Sequence, residues 1–158
     1  MTQRGPLGMA MFLLSEAVFF FLLILAFVYF RSAGAANLNL EAGALDTAGL
    51  LASVFSMWRA TAGDRRWLVI TIGLGAAFLV GQGIQYLHLI RDGVTMSQGL
   101  FGTTFFTLAG VHGLHVLIGL VALALVPSTA IRAMALYWYF FACVWLVIFL
   151  VAYVGNVA

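Results

Sequence analysis

Lysine is absent from this sequence, cysteine occurs once, and charged side chains of both signs make up only 8% of its 158 residues. Each shortage removes a class of protein. A water-soluble domain carries about a quarter charged residues, so this chain has too little polar surface to meet water on all sides. The lone Cys143 sits in an apolar run, which leaves no disulfide framework, paired-cysteine redox motif or cysteine zinc site. All seven basic residues are arginine, with no basic stripe interleaved with aromatics, so nucleic-acid binding is set aside. The nominal pI near 9.0 rests on a formal charge of only +2 and says nothing about nucleic acid.

Hydrocarbon is what the chain has in abundance. It is 65% hydrophobic, with a mean hydropathy of +1.13, the composition of an integral membrane protein. A bilayer core of about 30 Å needs about 20 helical residues. Five segments offer that: about 7–30, 44–60, 67–90, 99–126 and 133–154. The expected fold is all-α, an integral membrane bundle of five transmembrane helices, forming one domain over residues 1–158 without linker or internal repeat. The second segment is the weakest, with Asp46 near its start and Arg59 at its end. Asp46 followed by Thr47 reads as a helix cap at the interface. Pro127 ends the fourth segment. The first is too long for a signal-peptide core and lacks a small-residue cleavage pattern, so it is expected in the mature protein. Tyr29, Trp58, Trp67, Tyr86, Tyr137, Trp138, Tyr139 and Tyr153 lie near segment ends, where an aromatic belt belongs.

Five helices put the termini on opposite sides. One side receives Arg4, Arg59, Arg65, Arg66 and Arg132, the other Arg31 and Arg91. That imbalance places the N-terminus in the cytoplasm and the C-terminus outside.

Ionisable groups in hydrocarbon are costly and need a partner or a reason. Glu16 lies about ten residues, or roughly 15 Å, into the first helix, close to the bilayer midplane. Hydrocarbon disfavours its charged form. It reads either as a proton-relay carboxyl or as a neutral acid hydrogen-bonded to a neighbouring helix. His112 and His115 share one face of the fourth helix in FTLAGVHGLHVLIGL. A metal or haem would need ligands converging from several helices. The only other histidine, His88, lies near a helix end, and no Glu-x-x-His pair is present. The two imidazoles are therefore expected to bond across helices, or to reach a lipid headgroup or a partner subunit. Gln82, Gln85 and His88 recur every three residues as a short polar edge. It is either an interhelical hydrogen-bond ladder or a lining for water or a headgroup. Ala77 with Gly81, and Ala109 with Gly113, let helices approach closely within the bundle. No nucleophile–base pair, phosphate loop or redox-ligand set appears, so no catalytic residue is assigned.

Five strings also carry a resemblance. LGMAMFLLSEAVFFFLLILAFVYFR, with its Ser-Glu, is similar to the third helix of subunit III of the haem–copper (cytochrome c) oxidases. LDTAGLLASVFSM, VGQGIQYLHLI, LFGTTFFTLAGVHGLHVLIGL and ALYWYFFACVWLVIFLVAYVGN resemble the helices that follow, in order. Longer members have seven helices, the first two splayed to hold lipid, and this chain begins at the third. Where the family usually has Glu, Gln85 stands. Where it has a His-Phe-x-Asp pattern, this chain has Tyr139, Phe140, Phe141 and Ala142.

The resemblance implies a non-redox accessory subunit of a respiratory oxidase that reduces oxygen and pumps protons. Such a subunit sits directly against catalytic subunit I, near subunit II, in a bacterial-type cell membrane. It implies no cofactor in this chain, haem and copper in the partner subunits, bound phospholipid, and support of proton uptake. Glu16 matches the family's buried glutamate, and His112 and His115 match its histidine pair. The donor is cytochrome c or quinol. The alternatives are an accessory protein of a nitric oxide reductase, suggested by the missing His and Asp, and a small proton-coupled transporter using Glu16. The transporter lacks the internal repeats and broken helices such folds carry.

Overall fold

The apolar periodicity becomes five helices in the computed structural model, which describes residues 4–30, 38–94 and 99–156. They are α1 (Arg4–Phe30), α2 (Leu40–Thr61), α3 (Arg66–Arg91), α4 (Leu100–Leu125) and α5 (Ile131–Ala152). Single 3-10 turns, Ser128–Ala130 and Val154–Asn156, flank α5. No strand occurs among the described residues. Arg31, counted for orientation, lies outside the described residues, as does the side chain of Arg4.

Four helices, α1, α3, α4 and α5, are long and apolar enough to cross a membrane. The second helix does not join them. Its polar residues explain why: Thr47, Ser53 and Ser56 are buried, and Asp46 is half-buried. Among its apolar residues, Leu45, Leu51, Phe55 and Trp58 point outward. Its start corrects one expectation. Asn39, not Asp46, is the N-cap, its side-chain oxygen accepting from the Ala42 amide at 3.1 Å. Asp46 therefore lies inside the helix, where its carboxyl is free to face a neighbour.

Tight connections set an antiparallel order. Between α2 and α3, Gly63 takes φ +121°, which favours glycine, and Asp64 Oδ1 accepts from the Arg66 amide at 3.1 Å. At the end of α3, Gly93 takes φ +82°, and the Val94 and Gly93 amides return to the Leu89 and Ile90 carbonyls. The fourth helix stops because Val126, preceding Pro127, is forced into extended geometry. Arg65 Nη2 then donates to the Val126 carbonyl at 3.1 Å, tying the α2–α3 turn to the α4–α5 turn.

Helices α4 and α5 form the centre, α5 packing on α1, α2 and α4 and α4 on α1, α3 and α5, while α3 also packs on α2. In α5, Trp145 and Ile148 are fully buried, with Met57, Leu123 and Phe105 beside them in one core. Glycines admit the large rings. A Cβ on Gly75 would lie 2.6 Å from Trp138, and one on Gly119 would lie 2.9 Å from Tyr137. Tyr29 and Trp58 are exposed, but Tyr137, Trp138 and Tyr153 are buried, so the last three are interior groups and not belt residues.

Candidate functional site

Glu16 and His115 meet between α1 and α4. Glu16 Oε2 lies 3.2 Å from His115 Nε2, with the two side chains 16% and 15% exposed. The contact has ion-pair distance without the alignment of a hydrogen bond. The other ring nitrogen, Nδ1, is 2.8 Å from the Val111 carbonyl, four residues back on the same helix. A carbonyl only accepts, so Nδ1 carries a hydrogen. A neutral His115 then presents a lone pair to Glu16, which a protonated carboxyl can meet as donor, and an ionised carboxyl is matched by imidazolium. In both of these states the pair carries no net charge, the arrangement hydrocarbon favours. Phe20 packs edge-on to His115 at 5.4 Å and Phe141 stacks on it at 4.7 Å. Tyr137 donates to the His115 carbonyl at 2.8 Å, anchoring α5 to the same turn.

His112 lies one turn earlier on the same side of α4, and Phe20 and Phe141 pack against both rings. It is fully buried, and its Nε2 donates to the Phe141 carbonyl at 2.9 Å. Phe78, Phe20 and Trp145 enclose the ring, and Nδ1 has no hydrogen-bond partner. The two histidines thus bond to different helices and do not converge. Among the described residues no group of three or more His, Cys, Asp or Glu side chains could hold a metal.

A second polar centre joins α2, α3 and the end of α5. Gln82 Nε2 and Gln85 Nε2 donate to Asp46 Oδ2 at 3.0 and 2.7 Å. The Tyr153 hydroxyl donates to Gln85 Oε1 at 2.6 Å, which orients that amide with its N–H toward Asp46. Gly81 lies against the Asp46 carboxyl, where any Cβ would collide with Oδ1. Sequence reasoning found both glutamines but missed their partner. The available signal was symmetry: counted outward from the middle of the turn 62–65, Asp46 and Gly81 are equidistant. His88, third on the polar edge, is exposed and makes no part of this cluster. It lines a cleft of about 280 Å³ with Asn39, Gln85 and Asp92.

Two indoles complete the interior bonding. Trp138 Nε1 donates to Ser53 and Trp145 Nε1 to Thr47, each at 3.0 Å, so α5 holds α2 by two side-chain bonds. Of the four residues Tyr139–Ala142 that stand where the resemblance would have a His-Phe-x-Asp pattern, Phe141 and Ala142 are packed in the apolar core. At the Arg-bearing end, three adjoining hollows of about 450, 370 and 380 Å³ run down the α2–α5 face. Arg65, Arg132, Thr61 and Thr129 line the first, and Trp58, Tyr139, Phe55 and Leu51 the apolar continuation.

Known proteins match this sequence over most of its length. A protein of Nocardia farcinica named probable cytochrome c oxidase subunit 3 is 33% identical, over 92% of this chain and 85% of its own. The chain belongs to the cytochrome c oxidase subunit 3 family. Members from Corynebacterium diphtheriae and Synechocystis are 36% and 30% identical, over 76% and 92% of this chain and 68% and 73% of their own. No family model matches. In this chain the strings around Glu16 and the two histidines make the contacts among α1, α4 and α5 described above.

Proposed function

We propose that this chain is a non-redox accessory subunit of a haem–copper terminal oxidase, seated against catalytic subunit I, with subunit II in the same complex. The observation that carries the reading is the use made of the family's most recognisable string. Both its histidines are engaged inside the bundle, one on the Phe141 carbonyl and one on Glu16. Such groups stabilise a bundle and leave electron transfer to partner subunits, whose haem and copper this chain does not ligate. The names of the relatives favour cytochrome c as donor over quinol, and an oxidase over a nitric oxide reductase.

The finer assignments belong to the same proposal. The chain forms one domain of five spans in a bacterial-type cell membrane, N-terminus in the cytoplasm and C-terminus outside. Arg65 and Arg132 at the mouth of the α2–α5 groove suit a phospholipid phosphate, and the Trp58–Leu51 continuation suits an acyl chain. Glu16 and His115 support proton uptake, since one proton can sit on either group without creating net charge. His88 contacts lipid or a neighbouring subunit at the opposite end, while Gln82 and Gln85 bond across helices.

The test is functional capture. The full chain, tagged and extracted in mild detergent, should bring down a complex that consumes oxygen with reduced cytochrome c. A captured complex that reduces nitric oxide but not oxygen would overturn the oxidase assignment.

A further inference from the structure

The helix that fails to qualify as a span is also the one most elaborately bonded to its neighbour. Within α2, Glu41, Asp46 and Arg59 are charged, and Thr47, Ser53 and Ser56 turn inward. Hydrocarbon would strip water from Asp46 with nothing on α2 to replace it. Replacement comes from α3, whose Gln82 and Gln85 amides both donate to Asp46 Oδ2. A second bond joins the same helices nearer their turn, Ser56 to Thr71 at 2.7 Å. The two levels lie ten residues apart on α2 (Asp46, Ser56) and eleven on α3 (Thr71, Gln82), so the helices pair antiparallel without slippage. The turn is short and defined by Gly63 and the Asp64–Arg66 contact. Arg59, in the last turn of α2, stacks on Trp67 in the first turn of α3 at 5.3 Å. Gly81 leaves open the space the Asp46 carboxyl fills. Order of synthesis matters as well. The α5 indoles that bond Ser53 and Thr47 come last in the chain, whereas the α3 amides follow α2 directly.

We infer that α2 is not a self-sufficient membrane span: it enters the bilayer as one arm of a hairpin with α3, and the Gln82–Gln85 amide pair masks Asp46. The inference rests on the proposed orientation, with the α2–α3 turn in the cytoplasm. Leaving Asp46 unmasked should strand α2 and the turn on the outer side.

The test uses the full chain in intact cells, with Cys143→Ser and a single reporter cysteine, probed by a membrane-impermeant maleimide. In this parent background, Asp92→Cys should label from outside and Ala62→Cys should not. The reverse pattern would overturn the orientation reading, and the hairpin would then be tested with the two faces exchanged. Adding Gln82→Leu with Gln85→Leu makes α3 more apolar, so a failure cannot be laid to a weak α3. Labelling of Ala62→Cys should rise from background to most of the chains. Adding Asp46→Leu should return it to background, because no charge is left to mask. Labelling that stays at background in the Gln82→Leu, Gln85→Leu chain at parental abundance would overturn the inference. So would failure of Asp46→Leu to restore topology or, if the unmasked chain is degraded, abundance.

Discussion

Glu16 on α1 and His115 on α4 face each other between the helices: Oε2 and Nε2 lie 3.2 Å apart, while His115 Nδ1 is already committed to the Val111 carbonyl at 2.8 Å. We expect an uncharged pair, with Glu16 bringing the proton that faces the Nε2 lone pair. Its tolerance to substitution follows from that expectation.

Glu16→Gln should be mild, because an amide N–H can replace the acid as donor to His115 Nε2, with a loss under about 1 kcal/mol. Glu16→Leu leaves Nε2 unpaired and should cost about 1–3 kcal/mol. Thermal unfolding of the extracted complex compares the two. Equal losses would contradict the shared-proton geometry.

The histidines should prove structural. Replacing both His112 and His115 with Leu removes the bonds to Phe141 and Glu16 and should lower stability by several kcal/mol, on the order of 1–3 per lost buried partner. The haem spectrum of the captured complex should stay unchanged. A shifted spectrum would make one of them a ligand after all.

Glycines on α3 should separate sharply by what faces them. Gly81→Ala drives a methyl into the Asp46 carboxyl and should destabilise by about 1–3 kcal/mol. Gly83→Ala meets nothing within 4 Å and should be neutral or slightly stabilising. Asp46→Ala in the Gly81→Ala background should recover part of the loss, a coupling of at least about 0.5 kcal/mol in a double-mutant cycle. Independent losses would mean that the two residues are not in contact.

The indole bonds should be modest and paired. Trp138→Phe and Ser53→Ala each break the same 3.0 Å bond and should cost on the order of 1 kcal/mol, as bonds between membrane helices do. Combined, they should cost scarcely more than Trp138→Phe alone. Full additivity of the two losses would show that the bond contributes nothing.

Much of this architecture was legible because hydrocarbon imposes one period and one length. The apolar runs around Glu16, Gln82, His112 and Phe141 became α1, α3, α4 and α5, with ends shifted by a residue or a few. The second helix was harder, since its inward face is polar and its start depends on Asn39, a residue outside the apolar run. Aspartate at a segment start resembles a cap, and only the partner helix shows that Asp46 has another role. Tyr137, Trp138 and Tyr153 read as interfacial by position. A ring near a helix end turns inward when glycines such as Gly43, Gly75 and Gly119 open space and an acceptor waits behind it. The pairing of Glu16 with His115, and not with His112, depends on the rotation of α1 against α4, which no spacing within either helix encodes.

The most direct test of the subunit assignment is the metal content and reduced-minus-oxidised spectrum of the complex captured on this chain. Haem together with copper, at fixed ratio to the chain, is the predicted result. Haem with non-haem iron and no copper, or the chain alone with neither, would contradict it.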